Sequence, residues 1–112
     1  MKSRLLTVIV LAFVAGCSGA TRIDEVSCPP NGTPYSYDNF GKSFFAVHCT
    51  SCHGGPNGYS SRAFGSASLI RDSRDRIFAN AAVGNVSMPP GPDGPTPQER
   101  AALGEWLACG AP

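Results

Sequence analysis

Cys49-Thr50-Ser51-Cys52-His53 is the stretch on which the rest of the chain turns. It sets two thiols about one helical turn apart and places an imidazole directly after the second. Three chemistries use parts of this pattern. A thioredoxin-like redox pair has the same spacing, but it opens a helix that follows a strand in a βαβ unit, and no alternating strand pattern occurs here. A structural zinc ion needs four ligands at tetrahedral corners. His48, Cys49, Cys52 and His53 crowd into six residues, too tightly along the chain for all four to wrap one ion. A plain Cys49–Cys52 disulfide leaves His53 without a role.

The arrangement that uses all three side chains is covalent attachment of haem. Two thiols on consecutive turns add to the two porphyrin vinyl groups, and the adjoining imidazole then faces the iron. The expectation is one haem c, bound through Cys49 and Cys52, with His53 as the proximal axial ligand.

Upstream of this pentapeptide, Asn39 to His48 reads as a helix with Asp38 as its N-cap. Gly41, Phe45 and Cys49 share one face, and Phe40, Phe44 and Val47 an adjoining one. Downstream, Cys52 to Ser68 is rich in Gly, Ser, Pro and Asn and reads as a loop. Ser73 can cap a short helix with Ile77, Phe78, Ala81 and Ala82 as its apolar stripe, ended by Gly84. From Asn85 onward Pro89, Pro90, Pro92, Pro95 and Pro97 exclude helix and central strand up to the next helix start. Thr96-Pro97-Gln98-Glu99 has capping-box order and opens a helix to Ala108, with Ala102, Leu103, Trp106 and Leu107 inward and Gly110 suited to the stop.

The amino terminus has a different composition. Lys2 and Arg4 precede a ten-residue apolar run, Leu5 to Val14, followed by Ala15, Gly16 and Cys17. Ten residues at helical rise cover about 15 Å, half of a bilayer's apolar core, which suits a cleaved export signal and not a membrane span. Val14-Ala15-Gly16-Cys17 resembles the lipobox of bacterial lipoproteins, whose cysteine is acylated and becomes the first mature residue. The alternative is ordinary cleavage after Ser18-Gly19-Ala20, giving a soluble exported protein. Ser18 differs from the aspartate that retains such lipoproteins at an inner membrane, which favours an outer one. The expected organisation is a signal peptide at 1–16, a lipid-anchored tether at 17–33 and one domain at 34–112.

The 112-residue chain carries nine Lys and Arg against eight Asp and Glu. Removal of the signal leaves seven against eight, so no basic field exists to hold a nucleic acid.

At this point the chain resembles the small single-haem cytochromes c, from about Asn39 to Leu107. In that family a glycine and an aromatic on the N-terminal helix meet a leucine and an aromatic on the C-terminal helix; Gly41, Phe45, Leu103 and Trp106 fit. The resemblance implies an all-α fold of three to four short helices around one covalently attached haem, with long Gly- and Pro-rich loops. Met88 in Ser87-Met88-Pro89-Pro90 resembles the family's Met-Pro loop, which supplies the distal axial ligand. The mature inventory agrees: Met88 is the only Met, Lys42 lies on the proximal helix, and His48 sits about 140° around that helix from His53. Arg62, Arg71, Arg74 and Arg76 are candidates to pair with haem propionates, or else form a solvated mixed-charge surface.

With lipid on Cys17 and haem on Cys49 and Cys52, Cys28 and Cys109 remain, and an export compartment lets them pair. The leading functional expectation is a membrane-tethered electron carrier, not an enzyme, that serves redox protein partners as a monomeric domain. A haem-based binder or sensor of small ligands, with a labile sixth ligand, is the alternative. So is a non-catalytic haem subunit of a larger redox complex. Peroxidases that resemble this family have two haem motifs per chain, and this chain has one.

Overall fold

The computed structural model describes residues 19–54 and 63–112. The signal segment, Cys17 and Arg62 lie outside the described residues. Among the described residues there are five α-helices in order: α1 (Lys42–His48), α2 (Thr50–His53), α3 (Ala67–Asp72), α4 (Arg74–Ala81) and α5 (Pro97–Ala108). Among the described residues there is no strand, and no helix is long and apolar enough to cross a membrane.

The entry to α1 differs from the sequence expectation. Ser36, not Asp38, is the N-cap, because the first turn, Tyr37–Gly41, is a π turn closed by Gly41 N–H donating to Ser36 O at 3.1 Å. Asn39 completes a reciprocal cap: its N–H donates to Ser36 Oγ, while its Oδ1 accepts from Ser36 N–H. α1 then buries Phe44 and Phe45, whereas Val47 stays exposed.

α1 and α5 meet as the resemblance to the small cytochromes c implies. The Trp106 ring lies directly over Gly41, where an added Cβ would stand 2.6 Å from the ring. Only glycine permits this approach, and Phe40 and Phe45 fill the flanks with centroids 5.8 and 6.3 Å from Trp106. α5 also passes close to α4: a Cβ at Gly104 would stand 2.7 Å from Val83 Cγ2 and 3.3 Å from Phe78. Leu103, Trp106, Leu107, Phe78 and Ile70 are fully enclosed. Burying a side chain of this size stabilises the fold by about 1.5–3 kcal/mol.

The Thr96–Glu99 capping box forms as the sequence predicts, with Glu99 N–H donating to Thr96 Oγ1 and Thr96 N–H to Glu99 Oε2. α4 runs from Arg74 behind Ser73 and buries Ile77, Phe78 and Ala81. α3 corrects the reading of 52–68 as loop leading directly to a helix at Ser73, and it raises the helix count above the three to four expected. Ser66 caps it through Leu69 N–H, but only Ile70 is buried, so six residues carry no readable apolar period.

The segment expected as a tether is docked over its described part. Ile23–Glu25 forms a 3₁₀ turn against α4 and α5, and Ala20, Ile23 and Val26, spaced three apart, rest on the core. Asn85 Nδ2 reaches the carbonyls of Ala20 and Thr21 at 3.4 Å. Cys28 is disulfide-bonded to Cys109 at the end of α5, with Cα atoms 4.9 Å apart. The carboxyl end is also tied down. Pro112 O accepts from Tyr37 N–H and Trp106 Nε1, and Arg71 Nε donates to Ala111 O at 2.8 Å.

Candidate functional site

α1 stops at Cys49, whose backbone (φ −125°, ψ −44°) leaves helical geometry, and α2 restarts at Thr50. Cys49 O accepts from both Cys52 N–H (3.2 Å) and His53 N–H (2.9 Å), so one tight turn sets the second thiol and the imidazole beside the first. Cys49 is partly buried and Cys52 exposed, and neither takes part in the Cys28–Cys109 disulfide. Burial pushes the Cys49 thiol up to about 12, against the opposing pull of the Arg100 charge.

His53 is fixed to the core by a residue that sequence reasoning left in a featureless loop. Phe64 N–H donates to His53 O at 2.6 Å, and the Phe64 ring lies 5.0 Å from the imidazole and 5.7 Å from Phe45. Phe64 is one of two aromatics, with Tyr59, in a Gly- and Ser-rich stretch, and that was the available signal. His48 points elsewhere: its Nε2 lies 3.6 Å from Glu99 Oε1 and its ring 5.0 Å from Phe44, which makes it an edge residue between α1 and α5.

Met88 sits on a separate loop whose backbone is held at both ends. Its N–H donates to Asn80 O at 2.8 Å, and its carbonyl accepts from Arg100 Nη1 at 2.9 Å. Ser87 Oγ donates to Asn80 Oδ1 at 2.9 Å, and Asn85 Nδ2 to Phe78 O at 3.0 Å. The Met88 side chain is left half-exposed. The loop begins at Val83, whose φ of 54° is a left-handed conformation that costs a β-branched residue about 1–3 kcal/mol. That strain is held in place by Val83 N–H donating to Arg100 O and by the packing of its side chain on Gly104.

Arg100 was absent from the arginines singled out in the sequence. It is 5% exposed, and its Nη1 faces the carbonyls of Ala81, Asn85 and Met88. Its place in the capping-box helix, between Glu99 and the Ala102–Leu103 stripe, gave no reason to bury it. Of the arginines that were singled out, Arg71 is committed to Ala111 O, Arg74 lies 3.9 Å from Asp75, and Arg76 is exposed.

Two thiols at this spacing, an adjoining imidazole, and a thioether on a proline-stiffened loop form a donor set that fits a c-type haem. Cys49 and Cys52 would bond it and His53 would face the iron; when bound, the group supplies reversible one-electron chemistry at iron. Among the described residues no cluster of three or more His, Cys, Asp or Glu side chains is arranged to hold a bare metal ion.

Residues 39–107 match the family described as cytochrome c oxidase, cbb3-type, subunit III. No curated protein and no solved structure matches the sequence. The matched stretch begins and ends at Asn39 and Leu107, the bounds over which Gly41, Phe45, the Cys49–His53 motif, Leu103 and Trp106 are distributed, and it covers more than half of the chain. The chain therefore belongs to this cbb3-type cytochrome c family, and its domain is a helical cytochrome c domain whose general chemistry is haem-based electron transfer.

Proposed function

We propose that the protein is a membrane-tethered, single-haem electron carrier. Cys49 and Cys52 bind the haem covalently, His53 is the proximal ligand and Met88 the distal one. Acylated Cys17 anchors the domain on the periplasmic or outer face of a membrane, the outer membrane being favoured by Ser18. Its partners are redox proteins that meet an exposed haem edge. A site that keeps both ligands through the redox cycle reorganises little, which suits transfer and not substrate turnover.

The observation that carries this reading is the double backbone anchoring of Met88, at Asn80 O and Arg100 Nη1. A thioether is a weak iron ligand, and a loop that is already ordered spares it the entropy of ordering on binding. Met88→Ala should abolish the weak far-red methionine-to-iron absorption of the oxidised protein and lower its reduction potential. Met88→His should restore six-coordination at a potential below wild type. A wild-type protein without that absorption band would contradict Met88 as ligand.

The family description, an oxidase subunit, favours a second reading in which the same domain works inside a larger redox complex. Co-purification of a stoichiometric partner from the native membrane separates this reading from the free carrier.

A further inference from the structure

Arg100 is the one charged residue in the buried set among the described residues, and no carboxylate there stands within ion-pair distance of it. An uncompensated buried guanidinium is costly, and carbonyl dipoles solvate its charge without cancelling it. All three carbonyls it faces belong to one stretch: Ala81 at the end of α4, Asn85 in the loop, and Met88 itself. The backbone oxygen of the same residue holds Val83, the strained first residue of that loop. Residue 100 thus clamps the loop at its start, its middle and its methionine.

The geometry points to Arg100 as the positioning residue that keeps the Met88 thioether on the iron and, as a fixed buried cation, favours the reduced state of the site. This inference rests on Met88 being the distal ligand. Reduction takes one electron from a partner redox protein and converts Fe(III) to Fe(II), with no bond broken and no proton moved. The reduced centre carries one positive charge fewer, so a nearby fixed cation raises the energy of the oxidised form more than that of the reduced form. Arg100 Nη1 stands 2.9 Å from the carbonyl of Met88, so its charge lies beside the residue that would ligate the iron.

The test compares the full-length holoprotein with Arg100→Met, Arg100→Lys, Met88→Ala and, as a control for loss of an exposed cation, Arg22→Met. Carbon monoxide affinity of the reduced protein, the far-red methionine band and the reduction potential are read for each. Arg100→Met should raise carbon monoxide affinity about tenfold or more, within the usual range of coupling between sites, weaken the far-red band and lower the potential. Arg100→Lys keeps the charge but lacks the planar fork, so its potential should stay nearer to wild type while its carbon monoxide affinity still rises. Arg22→Met should leave all three unchanged. Wild-type affinity, band and potential in a folded Arg100→Met would overturn the inference. If that variant fails to fold, wild-type carbon monoxide affinity in Arg100→Lys overturns it. If Met88→Ala also matches wild type, the ligand reading falls; if Met88→Ala differs and the Arg100 variants do not, only the role of Arg100 falls.

Discussion

The helix crossing beside Cys49 and the loop that carries Met88 are built from opposite materials. At the crossing, Gly41, Phe40 and Phe45 pack on the Trp106 ring, and Phe45, Leu103 and Trp106 are buried. Along the loop, Val86 is 66% and Met88 44% exposed, and order comes from hydrogen bonds to Asn80, Asn85 and the buried Arg100. Close packing resists small displacement and fails globally when it fails. A hydrogen-bonded loop can open by itself. The Cys49 side is therefore the rigid reference, and the Met88 loop is where the firmness of the proposed sixth bond would be set.

The largest expected effect breaks the rigid side. Trp106→Ala should cost about 3–5 kcal/mol in denaturant unfolding, because it removes the ring that closes over Gly41. That loss should appear as a shift of the whole transition. Replacing Cys28 and Cys109 together by Ser should cost on the order of 4 kcal/mol in the chain-entropy treatment, since the closed loop spans a separation of 81 residues. The unfolding midpoint of the double variant against wild type, both without reductant, reads this directly. Neither change touches the loop hydrogen bonds, so in the surviving folded fraction the far-red methionine band should persist.

A smaller effect isolates the loop. Asn85→Ala removes the amide bonded to Phe78 O and near Ala20 O and Thr21 O, at a cost of about 1 kcal/mol. It should speed amide exchange at Val83 and Met88 while leaving exchange in α5 near the global limit. Uniform acceleration across both regions would erase the distinction between them.

The smallest effect is one of pH. The Thr96 backbone N–H, with help from the Thr96 hydroxyl and His48, holds the Glu99 carboxyl below its ordinary value of 4.5. A carboxyl lowered in the folded state stabilises fully above its unfolded value, and that contribution is lost as pH falls through the folded one. Glu99→Gln keeps the capping-box bonds without the charge, so its stability should fall less steeply than wild type below pH 4.5.

How much was legible follows the same division. Apolar spacing announced α1 and α4, and the capping box announced α5, because burial leaves a period in the sequence; the contact of Gly41 with Trp106 was expected from the resemblance to the small cytochromes c. The Cys49–His53 motif stood out because two thiols and an imidazole that are to hold one haem must keep a fixed spacing. Phe64 behind His53, the short α3 and the docking of Ala20, Ile23 and Val26 were not legible, since each rests on one or a few contacts to distant chain. Arg100 was hidden for a stronger reason: its partners are backbone carbonyls, which every residue has, so no side-chain pattern marks them.

Carbon monoxide binding to the reduced wild-type protein tests the central claim, a six-coordinate carrier with His53 and Met88 on iron, most directly. The account predicts that at neutral pH wild type resists carbon monoxide and that Met88→Ala binds it readily. Binding by wild type as readily as by Met88→Ala would contradict it and leave the small-ligand sensor as the better description of this chain.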